Sequence, residues 1–223
     1  NNIFQPYLTA FTHFVVSDSL HQRFPWLRET LPYMMTVGWV NFNTWGIVTA
    51  VIVMFGCMGI LPKVGLEELD MSTMTMGGML FLSRLTLAIS ALACMAYTSW
   101  LYNPVVLAVA NILGIFGFLL AAVSGSNAML LCLGLCVASI FGGVCFYQAV
   151  VYAIMAPAAA ARYVACNEML VGTGAVAGSL LAGYAAESLG ARGLFLVAAA
   201  VIGIALVIEM LVLSRGNGHA TQH

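Results

Sequence analysis

Residues 104–123 read PVVLAVANILGIFGFLLAAV, twenty residues with one polar side chain, Asn111, and no charge. An α-helix of this length is about 30 Å long, the thickness of a bilayer's hydrocarbon core. No short strand pattern accounts for it. A transmembrane β-barrel needs segments of roughly ten residues alternating apolar and polar, and this run does not alternate. The stretch begins just after Asn103-Pro104 and stops at the polar cluster 124–127, so its ends are marked by residues that turn the chain.

The same reading extends along the chain. Of 223 residues, 62% are hydrophobic and 7% charged, against about 45–50% and about 25% in soluble domains. The mean hydropathy is +1.01. Such a chain has too little charge to cover a globule in water and too much apolar surface for disorder. Its net charge of −1 provides no basic footprint for nucleic acid. The expected class is an all-α membrane protein with six transmembrane helices, at about 33–61, 71–97, 104–123, 129–155, 164–186 and 192–213. Pro62 is expected to close the first and Pro157 to follow the fourth. Residues 1–32, with Asp18, Arg23, Arg28 and Glu29 among aromatic residues, read as a cytoplasmic linker with an amphipathic segment on the membrane surface. Residues 214–223 read as a polar tail. The first residue is Asn1 rather than Met, which leads us to expect sequence upstream.

Six spans place both ends of the bundle on one side. That side carries Arg23, Arg28, Arg162 and Arg215; the other carries Lys63 and Arg192. The bias favours cytoplasmic termini in a plasma or inner membrane.

The six cysteines all lie in apolar stretches, without zinc spacing, and read as small packing residues. None of the four histidines lies between residues 35 and 213. That argues against histidine-ligated haem, an HExxH metal site or Ser/His proteolysis inside the membrane. There is no GxSxG elbow. We therefore expect no enzyme, no cofactor and no metal.

Three stretches carry a family resemblance. Trp39-Val40-Asn41-Phe42-Asn43 leads into an apolar run ending at Leu61-Pro62. Residues 156–183 read APAAAARYVACNEMLVGTGAVAGSLLAG, in which a Pro and an Arg precede a helix that opens with a Glu and continues with spaced glycines. Gly190-Ala191-Arg192-Gly193 then makes a short turn into the last helix. In order and spacing these resemble the C-terminal six-helix half of major facilitator superfamily transporters, over about residues 33–213. Residues 97–103 lack the Asp-Arg-x-Gly type of motif often found in that family at the corresponding loop. The resemblance implies secondary active transport of a small solute by alternating access. It also implies a second six-helix half, supplied by upstream sequence, a separate chain or a second copy. By the same resemblance, the first, second, fourth and fifth spans border a central cavity, and the third and sixth tend to face lipid, which leaves Asn111 a structural role.

Several residues stand out chemically. Arg84 sits near the middle of its span, where a charge costs roughly 2.5–3.5 kcal/mol on insertion scales. It is either a forked clamp for an anionic or zwitterionic solute or a structural ion pair or snorkelling side chain. Glu168, one turn into the fifth span, is a partner for Arg162 or Arg84, a carrier of a coupling proton, or an interfacial residue favoured by the helix dipole. Glu209 reads as an interfacial residue near the end of the last helix. Asn41 and Trp45 share one face of the first span, and Gln148 and Tyr152, four residues apart, share one of the fourth. Both pairs are candidates to line a solute cavity, with interhelical bonding and interface anchoring as the rivals. Gly174 with Gly178 forms GxxxG, and Ser179 with Gly183 repeats the small-residue spacing that lets membrane helices approach closely. A non-transport subunit, using the same bundle as an assembly scaffold, is the competing function. A scaffold is expected to close Arg84 into a salt bridge, and a transporter to leave it facing water.

Overall fold

The structure, a computed structural model, describes residues 43–97, 104–154 and 160–217. Within them the chain forms five helical elements: α1 (Asn43–Glu67), α2 (Thr73–Ala96), α3 (Pro104–Val123), α4 (Ala128–Ile154) and α5 (Ala160–Asn217). All five are long and apolar enough to cross a membrane, and the described residues contain no strand.

Local chemistry sets the boundaries. Ser72 caps α2, its Oγ accepting from the Thr75 N–H at 3.1 Å. Asn127 caps α4, with Oδ1 accepting from the amides of Met129 and Leu130, each at 3.1 Å. Both caps satisfy donors that the first helical turn leaves open. Between α3 and α4 the chain reverses at Gly125, whose φ of 54° favours a residue without Cβ.

α1 departs from the expected end at Pro62. The helix runs through the proline to Glu67. Pro62 lacks an N–H, so the bond to the Met58 carbonyl one turn back is lost, but packing against neighbouring helices carries the segment onward. Lys63 and Glu67, four residues apart and 4.0 Å from each other, line the extra turn.

α5 covers both of the last two expected spans, 164–186 and 192–213, and the residues between them are helical except at one point. Gly190 has φ 70° and ψ −174°, outside the helical region. Gly178, Ala182, Leu194 and Val201 all line one narrow apolar cleft with Ile52, Val53 and Cys57 of α1. In a straight helix Gly178 and Val201 would be about 35 Å apart. The two arms, 160–189 and 191–217, therefore fold back on one another at Gly190. Glu68, from the loop after α1, secures the reversal by accepting the Ala191 N–H at 2.6 Å through Oε2. The bond is charge-assisted and sits at the start of the second arm, where orphan donors and the helix dipole favour an anion. Because it is exposed, Glu68→Ala should cost only about 1 kcal/mol, or about 2–4 °C in the melting temperature of a chain this size. An unchanged melting temperature would mean that Gly190 turns without help from this loop.

The core is built by α1, α3, α4 and both arms of α5. α1 packs most extensively on α5, α3 on α4 and on α5, and α2 on α4. Large side chains such as Phe118, Phe141, Phe195 and Leu61 are completely buried. Two crossings bring backbone against backbone. A Cβ added to Gly178 would collide with the Ile52 carbonyl oxygen, and one added to Gly56 would collide with the Gly178 carbonyl. Likewise, a Cβ on Gly134 would lie 2.7 Å from the Ala121 nitrogen and 2.8 Å from the Gly117 oxygen. The first crossing joins α1 to α5 and the second α3 to α4.

α2 stands apart. Only 11% of its apolar stretch is buried, against 61% of that in α1. Met74, Phe81, Leu85, Ile89 and Leu92 are exposed along it.

Candidate functional site

The inner face of α2 carries polar groups at mid-helix. Ser83 and Ser139 of α4 are both fully buried and 2.7 Å apart. Ser139 Oγ also donates to the Leu135 carbonyl at 2.7 Å, which leaves Ser83 to donate to Ser139. Ser83 Oγ also lies 3.8 Å from Met58 Sδ of α1. The pair ties α2 to α4 where a polar group without a partner would be costly.

Arg84 follows Ser83 and points away from this contact. It is the twelfth residue of the 24-residue α2, roughly 17 Å from either end of the helix, and it is exposed. Among the described residues it has no hydrogen-bond or ion-pair partner, and the ion pair they contain is that of Lys63 with Glu67. An extended arginine side chain spans only part of that distance, so snorkelling from this position would need the bilayer to thin locally. The expected alternative of a pair between Arg84 and Glu168 is not formed. Glu168 is exposed on the first arm of α5. Its other expected partner, Arg162, has a side chain outside the described residues.

The remaining expected residues are distributed unevenly. Asn41 lies outside the described residues. Trp45 belongs to α1, but its side chain lies outside them, as does that of Tyr152 in α4. Gln148 is buried, and its Oε1 has no hydrogen-bond partner among the described residues. The three expected packing glycines separate. Gly174 lies against the Val51 side chain, where an added Cβ would come within 2.9 Å, and Gly178 lies against the Ile52 backbone. Gly183 has only the end of the Ile60 side chain, 4.0 Å from where its Cβ would be.

The structure also joins two residues that sequence reasoning kept apart. Glu209 is 4% exposed and Asn111 fully buried. Asn111 Nδ2 donates to Glu209 Oε2 at 3.1 Å and to the Leu107 carbonyl at 3.0 Å. Glu209 is therefore packed inside the bundle. The sequence held a usable signal. Asn111 is the lone polar residue of its span and Glu209 the lone charge between 193 and 214, and both lie a few turns from the same end of the bundle. Among the described residues, no three His, Cys, Asp or Glu side chains converge to hold a metal.

No family model, curated protein or solved structure matches the chain.

Proposed function

We propose that this chain is one six-span half of a secondary transporter for a small anionic or zwitterionic solute, with Arg84 as the solute-facing clamp. The observation that supports this reading is the exposed, unpaired guanidinium at mid-helix on the least buried helix of the bundle. A charge at that depth is not left to lipid; it faces a water-filled cavity or a second protein body. Guanidinium offers a rigid fork of donors suited to a carboxylate or phosphate, so a cavity there would select for anionic groups.

The resemblance of residues 33–213 to the C-terminal half of major facilitator superfamily transporters points the same way. It supplies the second body: another six-helix half, against which this one rocks in alternating access. The scaffold reading calls for a closed salt bridge at Arg84, and none forms among the described residues.

The test is water accessibility. In a variant with the native cysteines replaced by alanine or serine, Arg84→Cys in sealed vesicles should react with a charged, membrane-impermeant thiol reagent. A cysteine at the buried Met79, five residues back on the same helix, serves as the inaccessible comparison. If Arg84→Cys is as inert as Met79→Cys, the position does not line an aqueous path and the transport reading fails.

A further inference from the structure

The pair formed by Asn111 and Glu209 is incomplete. Glu209 Oε1 and Asn111 Oδ1 are both buried acceptor oxygens without a hydrogen-bond partner among the described residues. They belong to side chains already joined through Asn111 Nδ2 and Glu209 Oε2. The amide nitrogen spends one donor on the carboxylate and the other on the Leu107 carbonyl, so it has none left to offer. Both oxygens lack a hydrogen-bond donor or a cation, and the carboxylate's charge favours a cation.

Among the described residues, the surroundings do not supply it. α3 contains no titratable residue. From α4, the buried Cys145 thiol lies within electrostatic reach of Glu209, and the Cys94 thiol of α2 lies within reach of Cys145. A thiol brings no positive charge. The described cations, Lys63, Arg84 and Arg192, form no bond with Glu209. A carboxylate isolated in an apolar interior is so costly that it is neutralised by whatever small cation can reach it.

We infer that Glu209 and Asn111 form a buried site for a small monovalent cation, a proton or a sodium ion, held between α3 and the second arm of α5. A proton on Oε1 would turn the carboxylate into a donor. A sodium ion would take Oε1 and Oδ1 as two of its oxygen ligands and draw the rest from water or backbone carbonyls. Gln148, whose Oε1 is a third buried oxygen without a partner, lies one turn beyond Cys145 on α4 and so sits at the same end of the bundle.

The site does not depend on transport, so it is tested without solute or flux. The full chain, in lipid nanodiscs, is melted in sodium chloride and in choline chloride of equal ionic strength, and then across a pH series without sodium. Glu209→Gln is carried alongside. It keeps the side chain's size and pairs with Asn111 amide to amide, but it takes up no proton and lacks the negative charge that would hold a sodium ion. A sodium site predicts a saturable rise in melting temperature with sodium, about 5–10 °C at a hundredfold excess over Kd, absent in Glu209→Gln. A proton site predicts no sodium effect, but a single step in melting temperature, rising as pH falls, that the variant lacks. Asn111→Ala should weaken whichever response appears without abolishing it. A wild-type protein that responds to neither ion, or a Glu209→Gln variant that responds as the wild type does, overturns the proposal. A wild type that responds to neither ion overturns it even if Glu209→Gln fails to fold, and Asn111→Ala then reads whether a wild-type response belongs to this site.

Discussion

Replacing Arg84 with alanine is expected to reduce uptake of small anionic or zwitterionic solutes by reconstituted protein about 30-fold or more, while its melting temperature stays within a few degrees of wild type. The two halves of this expectation rest on different observations. Arg84 is exposed and has no partner among the described residues, so removing it breaks no internal bond. If it clamps a solute away from bulk water, truncation removes a charge-assisted, two-pronged contact, and the loss of one member of such a pair costs about 2–5 kcal/mol. That range corresponds to roughly 30-fold up to several-thousand-fold in affinity. Arg84→Lys should recover little, because lysine restores the charge without the planar fork. Uptake by the alanine variant at the wild-type rate would remove Arg84 from the binding site. A collapse of stability would instead assign it to the fold.

The second large effect concerns folding. Gly178→Val should abolish recovery of folded protein, and Gly178→Ala should lower the melting temperature by roughly 5–10 °C. A Cβ at residue 178 has no side chain to push aside; it runs into the Ile52 carbonyl of α1. The first arm of α5 and α1 would have to separate along the most extensive packing in the bundle. Overpacking of this kind costs about 1–3 kcal/mol when the neighbours can relax and more when, as with backbone, they cannot. Gly183→Ala serves as the comparison. It alters a glycine five residues on, but its nearest neighbour is the Ile60 side chain at 4.0 Å, so it should be tolerated. Thermal melting of the three variants in detergent reads all of this. Equal effects at 178 and 183 would mean that the crossing point is not where the glycines place it.

These variants also show what could be read from the sequence and what could not. The membrane class, the helical content and the boundaries of 104–123 follow from apolar length, because the bilayer imposes one dimension on every span. Pro62 was a weaker guide. A proline's missing donor ends a helix in water, but within a packed membrane bundle the cost is absorbed and α1 continues to Glu67. The reversal between the last two expected spans narrows to one residue, Gly190, because a single glycine outside the helical region, fastened by Glu68 from a distant loop, turns the chain. Spacing alone could not sort the small residues: Gly178 and Gly183 look alike in sequence and differ only in what approaches them. Nor could it pair Asn111 with Glu209. They are 98 residues apart, and their meeting depends on how the second arm of α5 lies on α3. Arg84 was conspicuous by its charge at mid-span, but only the packing reveals that its helix is the least buried of the five.

An exposed Arg84 at mid-span of α2 calls for a second body facing that helix. The most direct test is the native mass of the protein extracted gently from its own membrane. A second half, whether on the same chain, on another chain or from a second copy, predicts a particle at least about twice the 23.6 kDa of this chain, with Arg84 enclosed between the halves. A lone bundle of 23.6 kDa, stable and unassociated in the native membrane, would contradict it.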